Sequence, residues 1–487
     1  MATLTHHAGS FVAGHWIDAP ADAVSVNPAH PSEEVLRFAQ ASASDVDDAF
    51  TAAAGALGSW SACSALERAQ IVRRAAAAVE LRRGELERLI TRDSGKTLRD
   101  AQGELGRTIE TLYFHAAQGW ATAGELYHSS KADEEIRAVR RPIGVVAVIT
   151  PFNFPLLIAT WKIAPALVHG NTVVWKPATV DPAVSVELVR IFEEAGLPPG
   201  VLNLVLGSGS GVGDAILRHE ALDAVTFTGS VAVGRAIAAA TAGRDVRTQL
   251  ELGGHNAAIV FPDADLRRAA REVVAGAMLL AGQKCTSTRR VIVHRDVYDT
   301  FSELVVREVD RLKVGDGVDG SVDVGPLVSG EARGEVSTEV ARAAEEGATV
   351  YEGGELAESA SDDGFFLRPT VLTDVTPSMR IAREEVFGPV TSLMPVDDDD
   401  EAIAVANATQ FGLSTSVFTT SERRIRRCIA DVDVGVLHVN NQTTGTEPHV
   451  PFGGRRMSGS ADAPREQGQT AREFFTWVKT VYLEPGE

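Results

Sequence analysis

Apolar residues fall at helical spacing through SALERAQIVRRAAAAVELRRGELERLITRDSGK, residues 64–96. The pattern predicts one long helix, opened by the capping-box pair Ser64 and Glu67 and closed near Gly95. Farther on the period changes. The apolar runs GVVAVIT and NTVVWKP flank a helical stretch ending at Gly170, the pattern of a strand, a helix and a second strand. The alternation continues with a helix through SVELVRIFEEAG, a short strand VLNLVLG, a helix GVGDAILRHE, a strand ALDAVTFTG and a helix SVAVGRAIAAATAG. Short apolar strands between helices predict an α/β fold with a parallel sheet covered on both faces. The alternation restarts at LELGGHNAAIVF, so a domain junction is expected near residues 250–254. Toward the end, DDDDEAIAVANATQFG predicts a helix whose acidic start, Asp397 to Glu401, favours the helix dipole.

Composition narrows what such a fold does. At 487 residues the chain exceeds what one core holds, and two or three domains are expected. With 44% hydrophobic and 23% charged residues it reads as a soluble globular chain rather than a disordered or membrane one. The formal charge of −20 argues against a nucleic-acid surface, which needs clustered Lys and Arg to displace counterions. A small-molecule partner is expected instead. No apolar stretch reaches the roughly 18 residues of a membrane helix, and MATLTHHAGSFVAGHWID lacks the cationic start and apolar run of a secretory leader. Cys63, Cys285 and Cys428 are odd in number and far apart, which suggests neither a disulfide framework nor a zinc site. A cytoplasmic protein with no metal and no membrane partner is the expectation.

Two strand-to-helix junctions carry glycine: GSGSGVG, Gly207 to Gly213, and FTGSVAVG, where Gly229 and Ser230 open a helix. The first departs from G-x-G-x-x-G because Val212 takes the last glycine slot. A helix N-terminus offers free N–H groups and partial positive charge, so together the junctions describe a crevice for a dinucleotide pyrophosphate. Asn153, in TPFNFPL, follows the strand GVVAVIT at the end where open α/β sheets hold ligands. Glu251, in LELGG, is a carboxylate close to two glycines that allow other groups to approach the backbone. Cys285 lies in GQKCTSTRR beside Lys284. Taken singly, each has an ordinary reading: a turn asparagine next to proline, a structural carboxylate, a buried inert thiol.

Their order along the chain is distinctive. TPFNFPL, VVWKPA, FTGSVAVG, LELGG, GQKC, REEVFGPV, and PFGG followed by MSGS resemble the successive signatures of the aldehyde dehydrogenase superfamily. The resemblance runs from the hairpin-like AGHWIDAP to the terminal strand TWVKTVYLE. It implies a Rossmann-type cofactor domain (residues 1–122 and 143–253), an α/β catalytic domain (254–465) and a small oligomerisation hairpin and strand (123–142 and 466–487). It also implies a chemistry. Cys285 attacks the aldehyde carbon to give a thiohemiacetal, and the Asn153 side-chain amide with the Cys285 backbone N–H holds the oxyanion. Glu251 activates the water that hydrolyses the resulting thioester. A chain with that base releases a carboxylate, unlike relatives that pass the acyl group to coenzyme A. Lys284 is given no catalytic role, because adjacent residues of a strand or loop often face opposite sides.

The same resemblance implies that Ile149, Thr150, Lys176, Gly209, Gly213, Gly229, Ser230, Glu385 and Phe387 contact NAD or NADP, with Glu385 on the nicotinamide ribose. Thr179 departs from many NAD-preferring relatives, which carry Glu there. Without that carboxylate to repel a 2′-phosphate, NADP is expected to serve at least as well as NAD. His255, where relatives often have Lys, reads as structural. Phe154, Ile158 and Trp161 are implied to line the substrate tunnel, and residues 440–450, NNQTTGTEPHV, its mouth. The stretch from GRRMSGS to TVYLEP suggests, within that family, 2-oxoglutarate semialdehyde (2,5-dioxopentanoate) as the aldehyde, with aromatic or aliphatic aldehydes as alternatives. A substrate carboxylate needs an anchor, for which Arg107, Arg289 and Arg290 are candidates. EEIRAVRRP and TWVKTVYLE imply a homodimer or homotetramer. The competing reading, a non-catalytic dinucleotide-binding protein of the same fold, is disfavoured by the joint presence of nucleophile, base and donor.

Overall fold

The computed structural model describes residues 7–461 and 463–484. Two seven-stranded sheets organise the chain. In the first, five parallel strands run in the order Arg247–Glu251, Ala224–Thr228, Val145–Ile149, Thr172–Lys176 and Leu202–Leu204. The hairpin of Phe11–Val12 and His15–Trp16 closes that edge antiparallel. Its turn places Ala13 and Gly14 at φ 55° and 85°, the two left-handed positions a tight hairpin of matching twist requires. Val145–Ile149, Thr172–Lys176 and Ala224–Thr228 are buried at every position. Burial on both faces is why these strands read as unbroken apolar runs.

The second sheet runs Thr349–Glu352, Thr370–Thr373, Val390–Val396, Thr288–His294, Asn256–Val260, Ser414–Phe418 and Val436–Val439, parallel except at its first pair. The chain crosses from one sheet to the other between Glu251 and Asn256. Glu251 therefore ends a strand of the first sheet, and Cys285 lies in the loop that feeds a strand of the second.

Three local expectations are corrected. The helix expected over 64–95 is two, Ala65–Leu81 and Arg83–Ser94, because Arg82 leaves the helical region (φ −94°, ψ 14°) just before the weak helix former Gly84. Its ends match the side chains: Ser64 and Glu67 form the reciprocal cap, and Gly95 closes at φ 78°. The glycine-rich stretch forms a wide π-helical turn, Gly209–Gly213, capped by Ser208, and the α-helix that follows is only Asp214–Arg218. The acidic helix spans Asp399–Asn407, with Asp398 accepting the N–H groups of Asp400 and Glu401.

A third, antiparallel sheet of Thr476–Leu483, Glu135–Pro142 and Gly124–Tyr127 stands exposed. Of the segment expected to serve oligomerisation from residue 466, only Thr476–Leu483 joins it. The helix Thr470–Phe475 instead sends Phe474 and Phe475 into the core of the first sheet. Each buried phenylalanine contributes on the order of 1.5–3 kcal/mol relative to exposure, which ties that helix to the body. Residues 1–6, 462 and 485–487 of the expected divisions lie outside the described residues. No described helix is long and apolar enough to cross a membrane.

Candidate active site

Cys285 follows a strained turn. Leu280, Ala281 and Gly282 have φ of 60°, 50° and 66°, a region that costs a non-glycine residue roughly 1–2 kcal/mol. At Gly282 a Cβ would stand 2.0 Å from the Gly388 carbonyl oxygen. Arg289 holds the turn, donating to the carbonyls of Gly282 (2.6 Å) and Gly388 (2.7 Å). Asn256 donates to the carbonyls of Cys285 and Ser287, both at 2.8 Å. Held in this way, the half-buried thiol lines a cavity of about 280 Å³. Burial and the nearby Glu385 and Glu251 carboxylates push it up to about 12, against the opposing effect of its own backbone N–H. Such a thiol needs a base before it can act as a nucleophile.

Asn153 precedes the helix Leu157–Val168, whose start is capped from another helix. Glu104 accepts the N–H groups of Leu156 (2.9 Å) and Leu157 (3.1 Å), as the positive end of a helix favours. Lys96 pairs with Glu104 at 2.5 Å and donates to the Asn153 carbonyl at 2.7 Å. These added hydrogen bonds offset the desolvation of a buried ion pair. They also fix the Asn153 backbone. Its side-chain amide donates to the Gln283 carbonyl at 3.0 Å, two residues from Cys285, and has a second N–H to offer.

Glu251 is buried, and its Oε2 has no hydrogen-bond partner among the described residues. Oε1 lies where a Cβ on Gly453 would approach to 2.6 Å. Burial and the Glu466 carboxylate raise Glu251 well above the usual carboxylate range, while Lys162, Arg465 and the Gly454 N–H oppose them. Lys162 comes from the middle of an apolar helix, pairs with Glu466 and donates to the Thr226 hydroxyl at 2.9 Å. A carboxylate with a raised pKa that shares a cavity with a thiol is suited to general-base work.

The expected cofactor residues follow the C-terminal ends of the first sheet's strands. Ile149 pairs with Lys176. Thr150 donates its N–H to the Lys176 carbonyl (3.1 Å), and its hydroxyl accepts from Trp175 (3.0 Å). The Lys176 ammonium donates to the neighbouring Pro177 carbonyl at 3.1 Å, and burial lowers it to about 8. Thr179 donates to the Gly207 carbonyl at 2.9 Å. Ser230 caps the helix Val231–Thr241, and a Cβ on Gly229 would strike the Phe227 ring at 2.5 Å. Gly209 and Gly213 face open space. From the other sheet, half-buried Glu385 accepts the Gly254 N–H at 3.2 Å, and burial raises it to about 7 against the pull of Arg289. Phe387 meets Phe152 edge-on at 5.9 Å. An ammonium, a glycine-preceded helix start and a carboxylate around these strand ends suit the phosphates and ribose hydroxyls of a dinucleotide.

Cys285, Glu251, Phe154, Ile158 and Trp161 line the one cavity, and Thr444 to Thr446 line it too. Asn440 and Asn441, expected with them, are tied to Thr419 and Ser416 instead. Residues 16–481 match the Aldehyde dehydrogenase family. The chain belongs to that family. The alpha-ketoglutaric semialdehyde dehydrogenase of Bacillus subtilis is 41% identical over 479 residues, 98% of each chain. A betaine aldehyde dehydrogenase from Staphylococcus aureus, solved in complex with NAD+, is 33% identical with a TM-score of 0.94, covering 99% of this chain and 95% of that one. An E. coli NADP-dependent enzyme is also 33% identical, TM-score 0.93, covering 99% and 98%.

In this aldehyde dehydrogenase the candidate carboxylate anchors need correction. Arg289 is spent on the nucleophile loop, and Arg290 donates to the carbonyls of His255, Val405 and Ala406. Both are buried where backbone carbonyls need donors, not at the cavity. Arg107 does line it, but forms paired 2.7 Å bonds with Glu447 and another with Glu110. His255 packs against Phe411, and burial beside Arg290 keeps it neutral. Lys284 has no expected role because neighbouring residues often face opposite sides, yet the backbone turns between Gly282 and Lys284, the Lys284 N–H meeting the Gly282 carbonyl at 2.9 Å, and both Lys284 and Cys285 line the cavity. Sequence reasoning missed Lys96, Glu104, Lys162 and Glu466. Only Lys162 carried a local signal, a single charge inside LIATWKIAPALV.

Proposed function

We propose that this aldehyde dehydrogenase oxidises 2-oxoglutarate semialdehyde to 2-oxoglutarate with NADP or NAD, through a thioester on Cys285. The observation that carries the mechanism is that Cys285 and Glu251 share one cavity while Asn153 is bonded to the loop that bears Cys285. Similarity to the Bacillus subtilis enzyme supports the substrate. Sγ of Cys285 bonds the aldehyde carbon, and the oxygen gains charge toward the second N–H of Asn153 and the Cys285 backbone N–H. The dinucleotide, when bound, supplies the hydride acceptor. Ile149, Thr150, Lys176, Thr179, Gly209, Gly213, Gly229 and Ser230 would hold it from the first sheet, and Glu385 and Phe387 from the second. Glu251 takes a proton from water as the water oxygen bonds the acyl carbon and the C–S bond breaks, which releases the carboxylate and returns the thiolate.

Removing one preorganised oxyanion donor typically costs about a hundredfold or more in rate. Asn153→Ala is therefore expected to lower kcat about hundredfold with little change in KM, checked by steady-state kinetics. No carboxylate stands at Thr179 to repel a 2′-phosphate, so kcat/KM for NADP should match or exceed that for NAD. Thr179→Glu should lower the NADP:NAD ratio by about tenfold or more. A hundredfold wild-type preference for NAD would contradict this reading.

The first sheet with its helices serves as the cofactor domain, the second sheet as the catalytic domain, and the exposed sheet as the assembly surface. That sheet ends in the edge strand Thr476–Leu483 and exposes Leu126, Tyr127, Trp477, Val478 and Tyr482. Unpaired edges with apolar side chains favour covering by another copy, hence a homodimer or homotetramer. Free thiols at Cys63, Cys285 and Cys428 suit a cytoplasmic setting. The test of function is an aldehyde panel run with both cofactors. The highest kcat/KM is expected for 2-oxoglutarate semialdehyde, and a higher value for betaine aldehyde or an aromatic aldehyde would overturn the substrate assignment.

A further inference from the structure

We propose that Lys284 selects the anionic aldehyde, its ammonium receiving the substrate's carboxylate inside the cavity that holds Cys285. This rests on the aldehyde-oxidising function above and names the group that sets its substrate class. The cavity is otherwise poorly suited to an anion. Its walls include Phe154, Leu157, Trp161 and Phe452, and the Glu251 and Glu466 carboxylates face it. A further carboxylate brought among such groups is repelled unless a cation receives it.

The other cations of the lining are committed or turned outward. Arg107 is bound by Glu447 and Glu110. Arg99 has a side chain 66% exposed and leans toward Asp323 at 3.4 Å. Glu104 is matched by Lys96. Lys284 remains: among the described residues it forms no ion pair, and its Nζ donates no hydrogen bond, although it lines the cavity next to the nucleophile. Burial lowers it, Lys96 and Arg289 add to that, and Asp100 and Cys285 oppose. Asp100 acts on it only from a distance: the two form no ion pair or hydrogen bond, and the Asp100 carboxylate accepts the Thr97 hydroxyl at 2.8 Å. A partly buried ammonium without a partner gains from an arriving carboxylate what it lost on leaving water. The wall of the same cavity leaves room at Gly103, where nothing stands within 4 Å of a built Cβ. A cationic aldehyde such as betaine aldehyde would meet the same ammonium as a like charge.

Two readouts test this. One is the ratio of kcat/KM for 2-oxoglutarate semialdehyde over its methyl ester, which replaces the carboxylate charge with one methyl group. The other is the ratio of Cys285 alkylation rates by iodoacetate over iodoacetamide in the resting enzyme. Lys284→Met is expected to lower both ratios about tenfold or more, and Lys284→Arg to restore most of each. Unchanged ratios in Lys284→Met would overturn the proposal, as would equal loss of both alkylation rates, which would mean that Lys284 acts on the thiol. A wild type that oxidises the ester as well as the acid, with an alkylation ratio that still falls in Lys284→Met, would leave the anion site standing and refute the keto-acid substrate.

Discussion

Cys285→Ser is expected to lower kcat about 10⁴-fold or more while dinucleotide binding persists. The loop should survive the exchange, because Arg289 and Asn256 hold its backbone carbonyls and not the thiol. The chemistry should not. Burial and two carboxylates already push the thiol to about 12, and a serine hydroxyl in the same place gives up its proton with still more difficulty. The other thiols offer no substitute. Cys63 donates to the Ser59 carbonyl one helical turn back, and Cys428, on the helix Glu422–Asp431, is buried against the second sheet. Dinucleotide binding followed by fluorescence, alongside NADPH formation followed by absorbance, separates lost chemistry from lost fold. Near-full activity in Cys285→Ser would place the nucleophile elsewhere.

Glu251→Gln should split the reaction. With the base gone, thioester hydrolysis is expected to slow by about 10²- to 10⁴-fold, so rapid mixing should show one NADPH per chain followed by a slow steady state. The amplitude is the readout, because the same carboxylate can accept the thiol proton and its loss also slows the burst. In the wild type, burial and Glu466 hold Glu251 well above the usual carboxylate range. Its base form therefore grows as pH rises through that raised value, and kcat limited by hydrolysis should rise with it. The rise should vanish in Glu251→Gln. Absence of a burst together with an unchanged pH profile would remove Glu251 from the hydrolytic step.

How much of this was written locally depends on the distance over which each feature is set. The strands ending at Ile149, Lys176 and Thr228 were legible because sheets covered on both faces demand continuous apolar runs. The caps at Ser64 and Gly95 were legible because a cap is chemistry within a few residues. The break at Arg82 was not, since the surrounding apolar spacing continues through it. Arg289 and Arg290 looked like candidate anchors in sequence, yet both turn to backbone carbonyls, 99 residues away for Arg289 and Gly388 and 116 for Arg290 and Ala406. Lys162 and Glu466, 304 residues apart, meet only in the folded chain. Lys284 is the sharpest case: the tendency of neighbours on an extended chain to face apart withholds a role from it, but the chain turns between Gly282 and Lys284 and both Lys284 and Cys285 line the cavity.

The most direct measurement is peptide mass mapping of Glu251→Gln, acid-quenched after mixing with NADP and 2-oxoglutarate semialdehyde. The mechanism predicts one acyl group per chain, on the peptide bearing Cys285 and released by hydroxylamine. An unmodified Cys285 after a full equivalent of NADPH has formed, or an acyl group on another residue, would contradict it.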